Sequence, residues 1–250
     1  MTTPQNPVQV IARAAAILRA LQGHPEGLSL SQIAERVGLA RSTVQRLVVA
    51  LGTEGLVAAA SPKGRVRLGP GLVSLAGAAS VDLARVCHPF LTRLSRELHE
   101  TVDLALLEHD CVLFVDQVAA PRRLRAVSAV GASFPAHCTA NGKALLAALP
   151  TEQVVRLLPK TLERLTPSTI VDRDELLVEL ERIREAGVSF DREEHTHGIC
   201  AVGAVVVDPD GRLAAVTVPL PAQRFYGHEE RLAEPLKRTC VEITAALDSS

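Results

Sequence analysis

The chain has few aromatic residues, no tryptophan and no paired cysteines. Aromatic side chains make up 2% of its 250 residues, so a core built from the 47% of hydrophobic residues must be mainly aliphatic. No apolar run reaches the ~18 residues of a membrane span, and residues 1–10 lack the features of a signal peptide. The five cysteines are widely spaced, odd in number and free of CxxC pairs, which is typical of reduced thiols. We therefore expect a cytoplasmic protein without a membrane segment.

Charge is distributed unevenly along a chain whose net charge is only −1. Residues 1–68 contain eight basic and three acidic residues, and the rest contains 19 basic and 25 acidic residues. A basic head on an acidic body indicates that the head meets a polyanion such as nucleic acid. Chance segregation of surface charge could give the same numbers, so charge alone does not decide between a nucleic-acid-binding head and chance.

The head carries the pattern of a helix-turn-helix. Apolar residues at helical spacing predict a first helix near residues 7–22. Ser29 with Gln32 fits a capping box that starts a second helix, and Gly38 ends it. A third helix begins around residues 40–42, and its polar face is suited to read base edges in the major groove. The candidate DNA-binding residues of the second and third helices are Ser31, Gln32, Arg41, Ser42, Thr43, Gln45 and Arg46.

A short hairpin follows the third helix. Its strands are predicted at residues 56–59 and 65–68, with a turn at residues 61–64. Lys63 and Arg65 lie at the tip and on the return strand, where a wing contacts phosphate or the minor groove. The alternative is a three-helix bundle with an ordinary hairpin. Pattern, charge and order together favour a winged helix-turn-helix.

The remaining chain predicts an α+β fold with an antiparallel sheet. A Gly-Pro-Gly break at residues 69–71 is followed by a short helix rich in small residues, and Pro89 is expected to open the next helix. Hairpins placed before, between and after helices are typical of this fold class. The predicted strands are 101–108, 111–118, 124–130, 188–191, 199–207 and 213–220. The predicted later helices are 142–149, 152–158, 172–186 and 228–247.

A small polar loop at residues 137–143 runs into a predicted helix. It is not a phosphate loop, because His137 and Ala144 occupy the positions where that motif requires Gly and Ser or Thr. Unpaired backbone N–H groups at a helix start favour an anion, such as a carboxylate. An ordinary helix cap is the alternative interpretation.

Two further kinds of chemistry remain open on residue types alone. His195, His197 and Cys200 lie close in sequence to acidic residues, but their spacing matches no metal pattern that we know. A Cys–His nucleophile lacks both an orienting group and an oxyanion hole. We therefore favour polar groups of a pocket over either site, and we expect no cofactor and no metal.

The chain resembles the IclR family of bacterial transcriptional regulators over nearly its whole length. In the head the resemblance includes Gly-Leu-Ser-Leu-Ser-Gln-Ile-Ala at residues 27–34 and Gly-Leu-Ala-Arg-Ser-Thr-Val at residues 38–44. In the body it includes Phe-Pro-Ala-His-Cys-Thr-Ala-Asn-Gly-Lys at residues 134–143 and Asp-Arg-Glu-Glu-His at residues 191–195. Each segment is weak alone, but their order and spacing are specific.

The resemblance implies a winged helix-turn-helix at residues 1–69, a linker helix at 70–84 and a GAF-like effector-binding domain at 85–250. It also implies homodimers, paired into tetramers in some members, on palindromic double-stranded operator DNA. Family effectors are typically small organic acids or aromatic catabolites.

Family pockets use the loop before the short helix, an acidic residue and the following hairpin. From the resemblance and the loop together, the candidate effector-binding residues are Thr139, Ala140, Asn141, Gly142, Asp191, Ile199, Ala201 and Thr217. Two departures stand out: Ala201 occupies a position where the family often has Cys, and Pro219 replaces a hydroxyl residue of some relatives. We therefore expect the position of the pocket to hold but do not transfer any relative's ligand.

These observations predict a sequence-specific DNA-binding regulator whose operator affinity is modulated by a small, carboxylate-bearing organic effector. One alternative is a redox enzyme on a GAF-like body that uses Cys138 or Cys200. Another is a binding module whose head contacts protein. Repression and activation are not distinguished by the sequence.

Overall fold

The computed structural model describes residues 9–59, 64–72, 75, 81–126 and 128–249. The chain divides into two compact units, Met1–Val81 and Asp82–Ser250, and each is described by itself. Residues 73, 74 and 76–80 of the predicted linker helix lie outside the described residues, so the domain limits at 69/70 and 84/85 stay a prediction. Among the described residues, no helix has both the length and the apolar character needed to cross a bilayer.

The described part of the first unit is a helix-turn-helix followed by a hairpin. Its elements are α1 (Gln9–Ala20), α2 (Leu30–Val37), α3 (Arg41–Thr53), β1 (Val57–Ala59) and β2 (Val66–Leu68). The predicted capping box is confirmed, since Ser29 Oγ accepts from the Gln32 amide at 3.3 Å and Gln32 Oε1 accepts from the Ser29 amide at 2.9 Å. Gly38 ends α2 at a φ of 63°, which favours glycine. Ile17, Ile33 and Val44, one from each helix, are completely buried and join the three helices.

The second unit contains a six-stranded sheet with helices on both faces. Its helices are α4 (Val81–Leu98), α5 (Ala140–Ala147), α6 (Thr151–Leu157), α7 (Arg173–Ala186), α8 (Ala222–Phe225) and α9 (Glu229–Leu247). Its strands are β3 (Val102–Glu108), β4 (Cys111–Val118), β5 (Ser133–Pro135), β6 (Ser189–Arg192), β7 (Ile199–Val207) and β8 (Leu213–Pro221). The strand order is β5-β4-β3-β8-β7-β6, and every neighbouring pair is antiparallel. The predicted α+β fold is thus confirmed.

The sheet separates two cores. Residues from α4 and α9, such as Leu91 and Leu236, pack on one face of the central strands. Residues from α5 and α7, such as Leu145 and Leu180, pack on the other. All four side chains are fully buried, and burying one Leu stabilises the fold by roughly 1.5–3 kcal/mol. The sheet therefore has a helix layer on each side.

The prediction that Pro89 opens a helix is wrong. Pro89 lies inside α4, which begins at Val81. Proline removes one backbone hydrogen bond from a helix, but it lies on the exposed side here. Cys87 and Leu91, on the buried side of the same helix, are inaccessible to solvent. Their burial offsets the missing hydrogen bond.

The predicted strand at residues 124–130 is also wrong, because its described residues form an irregular loop and a turn. Arg122, Arg123 and Arg125 are exposed in this region. Arg122 donates to the His99 carbonyl oxygen and Arg125 to the Arg122 carbonyl oxygen, rather than to a neighbouring strand. The strand that pairs with β4 is instead β5, which ends in proline and was not predicted. The short helix α5 starts two residues earlier than predicted, since Thr139 Oγ1 caps the amide of Gly142 at 3.3 Å.

Candidate functional site

The polar face of α3 is exposed. Ser42, Gln45 and Arg46 are open to solvent, and Val44 is fully buried beneath them. Arg41 is also exposed and Thr43 is half-buried at the flank. Because a helix in the major groove must present donors and acceptors outward, this face has the composition that base reading requires.

The other predicted DNA contacts differ in how they are placed. Ser31 is exposed at the start of α2, but Gln32 is half-buried and its side-chain oxygen is engaged in the capping box. Arg65 is exposed next to the start of β2. Lys63 lies outside the described residues.

The second unit contains a cavity of about 310 Å³ beside the start of α5, within the size range of small-molecule sites. The predicted effector-binding residues that line it are Thr139, Ala140, Asn141, Asp191, Ile199, Ala201 and Thr217. Gly142 does not line it. A β-carbon on Gly142 would lie 2.2 Å from the Ala136 carbonyl oxygen, so this residue allows close packing behind the cavity wall.

Two lining residues of the cavity, Asp103 and Thr217, belong to a row of directly paired residues that crosses five strands. Ser189 of β6 opposes Gly203 of β7, which opposes Thr217 of β8. Thr217 in turn opposes Asp103 of β3, which opposes Gln117 of β4. Directly opposed residues of antiparallel strands share one face of the sheet. Only tertiary pairing brings these five positions together.

The start of α5 sits directly over β7. A β-carbon on Gly203 would lie 2.8 Å from the Ala140 carbonyl carbon, so only glycine permits this approach. Ser189 Oγ donates to the Ala140 carbonyl oxygen at 2.5 Å and holds the helix there. Asn141 is therefore 2% exposed at the cavity wall, and its side-chain nitrogen has no hydrogen-bond partner within the part of the chain that the structure describes.

Two carboxyl groups face the cavity from buried positions. Asp103 is 1% exposed; its Oδ1 accepts from Gln117 Nε2 at 2.7 Å and its Oδ2 from Ser128 Oγ at 2.9 Å. Asp191 is 5% exposed and its Oδ1 accepts from the Glu194 amide at 2.7 Å. Burial raises the pKa of each carboxyl to about 7, although these hydrogen bonds oppose the shift. Both groups therefore titrate near neutral pH.

A buried ion pair fixes the loop that follows β6. Lys143 Nζ lies 2.5 Å from Glu194 Oε1, and the two side chains are 1% and 7% exposed. The hydroxyls of Thr166 and Thr169 each donate to the Glu194 carbonyl oxygen. Since Lys143 belongs to α5 and Glu194 to the loop, the pair joins the two walls of the cavity.

Nine lining residues are not among the predicted effector-binding residues: Asp103, Phe114, Arg125, Ala126, Ser128, Phe134, His195, Thr196 and Pro219. Of these, His195 was expected only as a polar group of a pocket. A usable signal existed for Asp103, which interrupts the otherwise apolar run at residues 102–107. Phe134 stacks on His195 with ring centroids 4.3 Å apart. Burial and the nearby His137 lower the pKa of His195, so this imidazole is held neutral.

The cysteines and histidines do not form a reactive centre. Burial raises the pKa of the Cys138 thiol to about 12 and that of the Cys200 thiol to about 11, so both are protonated. A thiol nucleophile needs the opposite shift. His197 is exposed and pairs with Glu193, away from the stacked ring of His195. Across the described ranges, no three His, Cys, Asp or Glu residues are placed to hold a metal ion.

A helix-turn-helix with an exposed polar helix, followed by a unit with a ligand-sized cavity, defines the class of DNA-binding regulators that respond to small molecules. Comparison with known proteins gives the family. Residues 10–60 match the IclR helix-turn-helix domain, and residues 76–245 match the family described as bacterial transcriptional regulator IclR C-terminal. The chain therefore belongs to the IclR family of bacterial transcriptional regulators.

Individual relatives agree with this assignment. The chain is 58% identical over 229 residues to the HTH-type transcriptional regulator Rv1719 of Mycobacterium tuberculosis, covering 92% of this chain and 88% of that protein. It is 40% identical over 240 residues to TtgV of Pseudomonas putida, covering 96% and 92%. The crystal structure of an IclR homolog from Microbacterium hydrocarbonoxydans, complexed with 4-hydroxybenzoate, matches with a TM-score of 0.85 at 26% identity, covering 96% of this chain and 100% of that one.

The protein is thus a transcriptional regulator with a DNA-binding helix-turn-helix and an effector-binding domain. Its families and curated relatives are regulators rather than enzymes. Together with the protonated state of Cys138 and Cys200, this overturns the alternative of a redox enzyme.

Proposed function

We propose that a small organic effector carrying a carboxylate occupies the cavity beside α5 and modulates the affinity of the protein for its operator. One observation carries the proposal. Asn141 Nδ2 and Thr217 Oγ1 both belong to lining residues, and both are buried without a hydrogen-bond partner in the described ranges. An unpaired buried polar group costs roughly 1–3 kcal/mol, so a ligand that pairs with both atoms recovers that free energy on binding.

The acidic end of the effector is assigned to the start of α5 and to Arg125 on the cavity wall. Helix N-termini favour anions, and the Asn141 side chain offers a donor beside them. Arg125 is exposed at the cavity wall and supplies a positive charge. A carboxylate between these groups would be held by charge-assisted hydrogen bonds.

The rest of the effector must suit an acidic and aromatic lining. Phe114 and Phe134 meet edge to face, with centroids 5.1 Å apart, and offer a surface for a flat ring. Asp191 is an acceptor for a ligand hydroxyl. We therefore favour a small hydroxylated or keto acid or an aromatic acid. 4-Hydroxybenzoate, which the Microbacterium homolog binds, combines these features.

Operator recognition is assigned to the exposed face of α3 and to the wing. Gln45 and Arg46 are proposed to read base edges, and Lys63 and Arg65 to contact the backbone. Ser31, Gln32, Arg41, Ser42 and Thr43 are the remaining proposed contacts. The basic charge of residues 1–68 supports this assignment.

A homodimer is proposed as the DNA-binding unit, because one head presents a single short reading helix. Two heads would meet half-sites about 34 Å apart, or a multiple of that distance. Light scattering at micromolar concentration, combined with footprinting, tests this. A monomer that protects a single half-site would contradict it.

The effector proposal is tested by fluorescence anisotropy on DNA from upstream of the protein's own gene, titrated with a panel of organic acids. Asp191→Ala should blunt the response to the acid and leave ligand-free operator affinity near that of the wild type. Asp210→Ala, in the exposed turn between β7 and β8, is the matched control. A full wild-type response in Asp191→Ala places the effector elsewhere, and loss of operator binding without ligand makes Asp191 structural.

A further inference from the structure

We propose that Asp103 determines effector specificity, because its carboxylate and the Thr217 hydroxyl form a site for a hydrogen-bond donor at the inner end of the effector. The donor is a hydroxyl or N–H group. The inference rests on the proposed function and adds the chemistry of the end opposite the carboxylate. Asp103 lies outside the set of residues that the family resemblance implies.

Among the five residues paired across strands β6, β7, β8, β3 and β4, Asp103 and Thr217 are the two whose side chains are placed to contact a ligand. At one end, Ser189 is occupied because it donates to the Ala140 and Gly203 carbonyl oxygens. At the other end, Gln117 donates to Asp103 and to the Ser128 carbonyl oxygen. Gly203 has no side chain. Of the row, only Thr217 and Asp103 line the cavity.

Asp103 retains capacity to accept. Each of its oxygens receives one hydrogen bond from the protein, and a carboxylate offers about four lone-pair sites in total. The adjacent Thr217 hydroxyl is buried and has no partner among the described residues. A ligand donor at this point would pair with both side chains. An acceptor-only group, such as an ether oxygen, would face the carboxylate oxygens without a proton between them.

The position of Asp103 also sets the direction of the effector. Asp103 is 1% exposed, whereas Arg125 on the same cavity is exposed to solvent. A carboxylate is therefore attracted to Arg125 and repelled from the carboxylate of Asp103. Because Gln117 and Ser128 hold Asp103 in place, little rearrangement is needed before a ligand donor binds, which favours affinity.

The test is isothermal titration of the full-length protein at about pH 8, above the pKa of about 7 of Asp103. The ligands are matched benzoates: benzoate itself and the hydroxy- and methoxy-substituted acids at positions 3 and 4. In the wild type, at least one hydroxybenzoate should bind roughly ten- to a hundredfold more tightly than the methoxybenzoate substituted at the same position. This is the gain in affinity expected from one hydrogen bond to a charged group. Asp103→Asn should remove most of this ratio while the affinity for benzoate stays within a few fold.

Two further variants keep the test decisive. Glu108→Gln changes an exposed carboxylate at the end of the same strand and should keep the wild-type ratio. Thr217→Val removes a hydroxyl that bonds to no described protein group, so this variant should fold normally. It should also lower the hydroxy-to-methoxy ratio, and it replaces Asp103→Asn in the test if that variant does not fold. An unchanged ratio in Asp103→Asn, or in Thr217→Val where Asp103→Asn does not fold, overturns the inference.

Measurements on the wild-type protein distinguish a failure of this inference from a failure of the effector proposal on which it rests. Acids that bind and shift operator affinity without preferring a hydroxyl leave the effector proposal standing and overturn the role of Asp103. If none of the benzoates binds, the role assigned to Asp103 is overturned. The effector proposal is then still decided by the wider panel of acids titrated against operator DNA.

Discussion

The two units of this regulator differ in how far water reaches the side chains proposed to bind DNA and effector. In the first unit, Gln45 and Arg46 are exposed on a helix whose other face is buried. In the second, Asp103 and Asn141 are 1% and 2% exposed within a cavity. DNA is a large polyanion that must be met at a surface, whereas a small effector is recognised by enclosing it. The same polar chemistry is therefore hydrated in one unit and desolvated in the other.

This difference decides which physical effect dominates. Exposed charges are screened by water and salt, so replacing one should change DNA affinity and leave stability nearly unchanged. Buried charges are desolvated and depend on their partners, so replacing one should change stability as well as ligand binding. The following predictions test that contrast, beginning with the largest expected effect.

Breaking the buried ion pair should give the largest loss. Lys143→Met leaves Glu194 charged and without its partner in the interior, which is expected to lower the free energy of unfolding by roughly 3–5 kcal/mol. Urea denaturation of the full chain measures this. Lys237→Met, which breaks the more exposed pair with Glu234, should cost less than about 1 kcal/mol. Equal losses would remove the contrast between the two environments.

The buried carboxyls should make stability depend on pH. The pKa of Asp103 is raised to about 7 in the folded protein by burial, so the folded state binds a proton more tightly than the unfolded state. Its contribution to stability is complete below about pH 4 and is lost as pH rises through about 7. Between pH 5 and pH 8 the loss is roughly 2–3 kcal/mol, at 1.36 kcal/mol per pKa unit.

Asp103→Asn should remove that part of the pH dependence. Urea denaturation at pH 5 and pH 8 compares the two proteins, and the variant should lose less stability over this interval than the wild type. Glu108→Gln, on the exposed end of the same strand, serves as the control. Identical slopes for Asp103→Asn and the wild type would show that Asp103 does not titrate in this range.

In the first unit, Arg46→Ala should weaken specific operator binding by roughly 1–3 kcal/mol if Arg46 reads a guanine edge. Its stability should stay within about 0.5 kcal/mol of the wild type, because the side chain is exposed. Fluorescence anisotropy on operator and on random DNA separates base reading from backbone contact. An equal loss on both DNAs would refute the base-reading role.

The smallest effect is expected at the wing. Arg65→Ala should weaken binding to all sequences alike, because a phosphate contact carries no sequence information. The slope of log affinity against log salt should become shallower by roughly 0.9. A titration from low to moderate salt on two unrelated DNAs measures this slope. A sequence-dependent loss would instead assign Arg65 to a base edge.

Local patterns predicted the head well because its structure depends on near neighbours. The capping box of Ser29 and Gln32 and the stop at Gly38 are formed within a few residues. The exposed face of α3 follows from helical periodicity once Val44 is buried. In the body, the hairpin of β7 and β8 was predicted for the same reason. By contrast, Pro89 and residues 124–130 were misjudged, because packing and long-range contacts overrode local preference.

The candidate site shows where sequence alone stops. Residue types at fixed spacing indicated the fold class and the resemblance to the family. The seven predicted residues that line the cavity came from that resemblance together with the loop at residues 137–143. The pairing of β3 with β8 placed Asp103 beside Thr217, 114 positions apart in the sequence. The close approach of α5 to Gly203 buried the Asn141 side-chain nitrogen, which has no hydrogen-bond partner among the described residues. Burial and orphaned polar atoms are properties of the packed chain, because they depend on which distant segments exclude water from a residue, and only the tertiary structure decided them.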